Sequence, residues 1–379
     1  MSAVSFLRRA YSSKSSLNST YNVIFKEKDL KKVAETFKKH TQNSQMRKKA
    51  SFYEYTVNRL AESQSFNLIE EILESQKQYK DITDEGFTVR LISLYGKSNM
   101  FDHAHKLFDE MPQLNCKRTT LSFNALLSAC VNSKNFDKVD GFFRELPDKL
   151  SIKPDNVSYN NLIKAYCEMG SLDSATLMFD EMQKNGLKPD LITFNILLDG
   201  FYKKGSFLGG EKFWVLMEKY GLVPDSLSYD ARLHGFVTEN MIQEAVNLVQ
   251  EMKSKDLKIH GSTYNTLFKG LCSDGKNIHE AKKWAEEVLK TKGLIMPNQM
   301  LSTLIRFFCD NNDFPFASRL SKSLFHRNYR LKECELLQSV VNGLVKQKNM
   351  KDAEILVRLG KDSKLSCYHK LKMPKFEQK

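Results

Sequence analysis

One period governs this chain. Residues 156–190 read NVSYNNLIKAYCEMGSLDSATLMFDEMQKNGLKPD, and residues 191–225 read LITFNILLDGFYKKGSFLGGEKFWVLMEKYGLVPD. Both stretches are 35 residues long, carry an aromatic–Asn pair near the start and end in Gly-Leu-x-Pro-Asp. Counting outward divides the chain into repeats at 14–49, 50–84, 85–119, 120–155, 156–190, 191–225, 226–260, 261–298, 299–332 and 333–362. The repeats at 120 and 261 carry insertions of one and three residues, and the outermost two are degenerate, as capping repeats are. A repeat this short cannot bury a core by itself and must stack on its neighbours.

Each repeat spells two helices. In the one at 156, Tyr159, Leu162, Ile163 and Tyr166 recur at three- and four-residue spacing, the stripe of an amphipathic helix. Gly170 breaks that run, Leu172, Ala175, Leu177, Phe179 and Met182 make a second stripe, and Gly186 and Pro189 close it. The same plan gives Leu91, Leu94, Phe101, Ala104, Leu107, Phe108 and Met111 earlier, and Leu267, Leu271, Ile278, Ala281 and Val288 later. A recurring Ala (Ala104, Ala175, Ala245, Ala281, Ala317, Ala353) marks where two helices come close. The expected fold is all-α: a right-handed α-solenoid of about ten helix-turn-helix repeats with a concave face.

Seven cysteines are present and none forms a CxxC pair. Cys167, Cys272 and Cys309 fall at equivalent places in their repeats, which suits a small side chain packed within a helix pair better than disulfides or metal. The chain holds 58 Lys+Arg against 45 Asp+Glu, a formal net charge of +13. The excess sits at the ends: residues 1–50 and residues 315–379 each carry a net +9, and the stretch between them is net −5. Basic ends point to an anionic partner, but the middle is not a uniform phosphate-attracting strip. No apolar run is long enough for a membrane span. The N-terminus, MSAVSFLRRAYSSKSSLNSTYN, is rich in Ser, has Arg8 and Arg9 and has no acid before Glu27. Residues 1–13 therefore read as an organelle targeting segment, for the mitochondrial matrix rather than a plastid, and 363–379 as a basic tail.

With its opening Tyr-Asn or Phe-Asn and closing Pro-Asp, VSYNNLIKAYCEMGSLDSATLMFDEMQKNGLKPD resembles the pentatricopeptide repeat in its plain 35-residue form. The resemblance covers about residues 14–362 and is strongest over 85–298. The run FDHAHKLFDEMPQLNCKRTTLSFNALLSACVNSK is also similar to short pentatricopeptide proteins built into plant mitochondrial ribosomes. The family implies RNA binding, one base per repeat, read by two or three side chains.

On that reading the fifth residue of a repeat and its last residue face one base, and an aliphatic residue near the start wedges against the base face. An Asn amide offers both a donor and an acceptor to a base edge, and a neighbouring Asp can orient it. Carried onto this chain, Asn124 pairs with Asp155, Asn160 with Asp190 and Asn195 with Asp225, a combination that in the family favours uracil. Asp230 with His260 is not a usual pair, and Asn265 with Asn298 returns to a pyrimidine type. Leu121, Val157, Ile192 and Leu227 are the wedges. Val89 with Thr119, Glu54 with Asp84 and Ser302 with Lys332 depart from the pattern. Lys97, Lys203 and Lys346, at the far end of first helices, are candidate phosphate contacts. Each Asp has a second role open to it, as the N-cap of the next helix.

No HExxH or GxSxG occurs, the YGKS at residues 95–98 lacks the upstream Gly of a phosphate loop, and His103 and His105 point to different helix faces. The expectation is a non-enzyme with no cofactor, metal or small-molecule substrate. Three functions follow: a component of the small subunit of the plant mitochondrial ribosome, contacting ribosomal RNA, mRNA and mitoribosomal proteins; a factor that reads one single-stranded organelle transcript; or a protein-binding solenoid.

Overall fold

The computed structural model describes residues 24, 26–273, 275–291, 298–326, 334–363 and 368–374. The targeting segment 1–13, Lys332, Cys367 and most of the basic tail lie outside the described residues, as does part of the insertion in the repeat at 261. Among the described residues there are twenty α-helices and no strand.

Two compact bodies divide the chain, Met1–Lys204 and Gly205–Lys379. The first holds α1 (Leu30–Thr41), α2 (Ser44–Arg47), α3 (Ala50–Glu62), α4 (Phe66–Glu74), α5 (Glu85–Lys97), α6 (Phe101–Glu110), α7 (Thr120–Asn132), α8 (Phe136–Leu150), α9 (Asn156–Met169), α10 (Leu172–Lys184) and α11 (Leu191–Lys203). The second holds α12 (Phe207–Lys219), α13 (Ser226–Thr238), α14 (Ile242–Ser254), α15 (Gly261–Leu271), α16 (Ile278–Lys290), α17 (Asn298–Asp310), α18 (Phe314–His326), α19 (Cys334–Lys346) and α20 (Met350–Asp362). From α3 onward the helices alternate as first and second members of the repeats. Within each body, first helices stack on first helices: α5 on α7, α7 on α9 and α9 on α11, then α13 on α15, α15 on α17 and α17 on α19. This is the α-solenoid arrangement expected of the period.

The last residue of one repeat starts the first helix of the next. Asp84, Thr119, Asp155, Asp190 and Asp225 each cap the following helix, accepting from backbone N–H groups two or three residues on. A cap of this kind contributes about 0.5–2 kcal/mol. The turn between the two helices of each repeat is left-handed at one residue: Gln64, Asn99, Lys134, Gly170, Gly205, Asn240, Gly275, Asn312 and Lys348 all have positive φ. Glycine fills that place in three of nine repeats, so the stacking holds other side chains in a conformation they rarely adopt.

The recurring Ala residues are all fully buried. One stripe is corrected. Leu177 is 61% exposed, and Met178 packs in its place. Two residues beyond buried Ala175 lies the far side of a helix, which is where Leu177 falls. The backbones approach closely at a constant register. A Cβ on Gly96 would lie 2.5 Å from Ala129 Cα, one on Gly200 would lie 2.5 Å from Cys167 Sγ, and one on Gly270 would lie 3.0 Å from Val237. Cys116, Cys130 and Cys167 are buried and free, and burial pushes the Cys167 thiol up to about 12, far from the reactive thiolate. Among the described residues no cluster could hold a metal ion, and no helix is long and apolar enough to cross a membrane.

Candidate nucleic-acid interface

The candidate readers project from the first turns of first helices, and caps fix where those turns begin. In the N-terminal body the best-formed site combines Asn124 on α7 with Asp155 and Ser158 at the start of α9. Asn124 Nδ2 donates to Asp155 Oδ1 at 2.9 Å, and Ser158 Oγ donates to Asn124 Oδ1 at 2.5 Å. Asp155 Oδ1 also accepts from the Ser158 backbone N–H at 3.0 Å. Asp155 therefore caps α9 and orients the amide with one oxygen. The cap expected of Asp155 is present, and the same carboxylate holds the Asn124 amide. With its carbonyl held by Ser158 and its amino group by Asp155, Asn124 has one orientation, and a second N–H remains for a ligand.

The neighbouring site has the same parts and a different connection. Asp190 Oδ1 accepts from the Thr193 N–H at 2.9 Å and from Thr193 Oγ1 at 3.0 Å. Asn160 is only 6% exposed, and its Oδ1 has no hydrogen-bond partner among the described residues. Asp190 is thus a cap that does not hold Asn160. On the next first helix Asn195 is half-buried, and Asp225 caps α13 in the other body.

In the C-terminal body Asp230 stands where other repeats have Asn. Thr263 Oγ1 donates to its Oδ1 at 2.7 Å, as Ser158 does to Asn124. Burial pushes the Asp230 carboxyl above the ordinary range, against the pull of the Thr263 hydrogen bond and of His260. Asn265 is half-buried on α15, and Asn298 is exposed at the first position of α17.

Sequence reasoning missed the hydroxyl at the third position of a repeat. Ser122, Ser158, Thr193, Ser228 and Thr263 are all buried, and each accepts from the backbone N–H of the residue that ends the preceding repeat. The signal was present as a Ser or Thr at the same place in five successive repeats.

The wedges stand out of the surface. Leu121 is 51% exposed, Val157 52%, Ile192 62% and, in the C-terminal body, Leu227 63%. Each is three residues before its reader, so wedge and reader share a helix face. Large aliphatic side chains repeated at one register and left in solvent are not explained by the core they border.

Profiles of the PPR repeat family match residues 90–132, 154–203 and 224–273, and a PPR repeat profile matches 121–149 and 192–222. The small ribosomal subunit protein mS79 of Arabidopsis thaliana is 54% identical over 160 residues, which are 42% of this chain and 41% of that protein. The match thus spans about two-fifths of that relative. A mitochondrial pentatricopeptide repeat-containing protein of the same plant is 34% identical over 312 residues, 81% of this chain and 72% of the relative. This chain is a pentatricopeptide repeat protein. The small ribosomal subunit protein mL103 of Arabidopsis thaliana matches at 33% identity over 80% of the chain and 73% of its own length. The maize pentatricopeptide repeat protein PPR10 shares the fold, with a TM-score of 0.51 and 18% identity over 95% of this chain and 50% of that one.

In the repeats that depart from the expected pattern, nearby carboxylates are engaged within the protein. Next to Val89, the Glu85 carboxylate accepts from Thr119 Oγ1 at 2.9 Å and from the Ser122 N–H at 3.1 Å. Burial pushes the Glu85 carboxyl up, but these hydrogen bonds outweigh it and hold the group low. Glu54 pairs with Lys97 at 3.1 Å, and Lys203 pairs with Asp199 at 2.7 Å. Of the three candidate phosphate contacts in this pentatricopeptide repeat protein, Lys346 alone is exposed without an ion pair among the described residues.

Proposed function

We propose that this protein binds RNA in mitochondria as a component of the small subunit of the plant mitochondrial ribosome, contacting ribosomal RNA or mRNA and neighbouring mitoribosomal proteins. The observation that carries the RNA reading is the repeated pairing of a solvent-exposed aliphatic wedge with a polar fifth residue on one helix face. An exposed aliphatic side chain supplies a flat base with a stacking partner, and the amide beside it supplies hydrogen bonds to the edge. Asn124, Asn160 and Asn195 with Asp155, Asp190 and Asp225 read the bases, with a preference for uracil. Asp230, Asn265 and Asn298 read further positions, and Leu121, Val157, Ile192 and Leu227 stack. Lys346 touches phosphate, and so do Lys97 and Lys203 once their ion pairs open. The ribosomal reading is supported by the likeness to mS79 and mL103 and by a net charge of +9 at each end. Three good readers specify too few bases to single out one site in an organelle transcriptome.

Two experiments test this. Replacing Leu121 and Val157 with Ala is expected to weaken binding to a U-rich single strand by about 1–3 kcal/mol per base, read by fluorescence anisotropy. Unchanged affinity removes the wedges from the site. Tagged protein from mitochondria is expected to sediment with the small ribosomal subunit under salt that leaves ribosomes intact. Protein that stays at the top of the gradient but binds a U-rich strand supports the free transcript-reading factor instead. The closed Asn124–Asp155–Ser158 arrangement is the observation that favours that second reading.

A further inference from the structure

Ion pairs join successive hairpins of this protein on or beside their second helices. In the N-terminal body Lys38 pairs with Glu71, Lys77 with Glu110 and Arg144 with Glu181. In the C-terminal body Lys253 pairs with Glu287, Lys282 with Asp313, Arg319 with Glu286 and Lys322 with Asp352. The partners lie about one repeat apart, so each of these cations is answered by the neighbouring hairpin. At the last described hairpin the ladder stops. Asp352 on α20 is already taken by Lys322, and among the described residues no further hairpin supplies acids. Lys348, Lys351, Arg358, Lys361, Lys370 and Lys372 are exposed and form no ion pair among the described residues.

These cations are gathered by the fold. Lys351, Arg358 and Lys361 are spaced seven and three residues apart, which aligns them on one side of α20 over roughly 15 Å. Glu354 and Asp362 are the exposed acids among them. The chain then folds back. The turn Tyr368–Lys370 packs on α20, Leu371 is 2% exposed, and the Lys372 backbone exchanges two hydrogen bonds with the Gln338 side chain of α19 at 2.9 and 3.0 Å. Lys370 and Lys372 are thereby fixed against the same hairpin. Among the described residues no large exposed apolar side chain lies on it. A membrane surface asks for inserting apolar residues, and a stable protein interface asks for an apolar centre. A surface on which six exposed cations outnumber two exposed acids suits a partner recognised by charge, and a nucleic-acid backbone is one.

We propose that this hairpin and the segment folded over it dock on the sugar-phosphate backbone of paired RNA, independently of base sequence. The inference rests on the reading of the protein as RNA-binding and adds a second contact to it. It gives the chain two modes: stacking and amide contacts for unpaired bases, and a cationic surface for a folded stem.

The test uses the full-length protein and two probes, a fully paired RNA stem and an oligo-U strand. The variant carries Lys351→Gln, Arg358→Gln, Lys361→Gln and Lys370→Gln, all at exposed positions, with folding checked by circular dichroism. Stem affinity is expected to fall at least tenfold. The slope of log affinity against log salt is expected to shrink by roughly three to four, at about 0.9 for each phosphate no longer neutralised. Oligo-U affinity is expected to change less than twofold. An unchanged stem affinity and slope overturns the proposal, including when the variant instead loses a mitoribosomal protein partner. Wild-type protein that binds oligo-U but no stem overturns it and leaves base reading standing. Wild-type protein that binds neither probe overturns both.

Discussion

Ser158 holds the carbonyl of Asn124 at 2.5 Å and Asp155 holds its amino group at 2.9 Å, so the side chain of this proposed reader has one orientation. Ser158 also accepts the Asp155 backbone N–H, which ties orientation to the helix cap. Ser158→Ala is therefore expected to weaken U-rich strand binding while Asn124 is still present, and Ser158→Thr to restore it. A loss of melting temperature without a loss of affinity would assign Ser158 to the cap alone. Asp230 gives a pH prediction. Its folded-state pKa is raised by burial, so between the ordinary carboxylate pKa and the raised one the native state binds more protons than the unfolded state. Stability then falls as pH rises through that window. Asp230→Asn is expected to raise the melting temperature at pH 7 and to match wild type below the ordinary carboxylate range. A pH-independent difference would refute the assignment.

At the scale of helices, close approach decides which residues fit. Gly200 meets Cys167 and Gly96 meets Ala129 because in both cases the tenth residue of one first helix faces the twelfth of its neighbour. Gly200→Val drives a branched side chain into a filled gap, and overpacking of this kind costs about 1–3 kcal/mol. Urea unfolding of Gly200→Val should show that loss, and Cys167→Ala in the same chain should recover part of it. If the two changes simply add, the contact is not the cause. The left-handed turns follow the same logic. Gly170 was legible in the sequence as a helix break, but Asn99, Lys134 and Asn240 adopt the same conformation without glycine. Local propensity favours the two Asn turns but not the one at Lys134. The stacking of flanking helices imposes that one.

At the scale of the molecule, contacts run between successive hairpins, so a local defect spreads only a short way along the array. In Gly200→Val, hydrogen exchange is expected to rise in α9 and α11 and to stay unchanged in α17 to α20. Uniformly faster exchange would mean that the array unfolds as one. Charge also acts at this scale. The ion-pair ladder neutralises cations inside the array at a gain of about 0–1 kcal/mol per exposed pair. On the last described hairpin exposed cations outnumber exposed acids.

The period, most of the helical stripes, the caps and the shared helix face of the proposed wedges and readers were legible in the linear order of residues. They depend on spacing along one chain, and a 3.6-residue helix turns spacing directly into a face. The family followed from the same marks. What tertiary structure decided was every matter of distance between repeats. Asp155 holds Asn124 whereas Asp190 does not hold Asn160, Glu85 reaches Thr119 and Ser122 across the repeat boundary, and Leu177 turns out to solvent while Met178 packs. Those outcomes depend on how far apart two helices settle, and that is set by side chains about one repeat away in sequence.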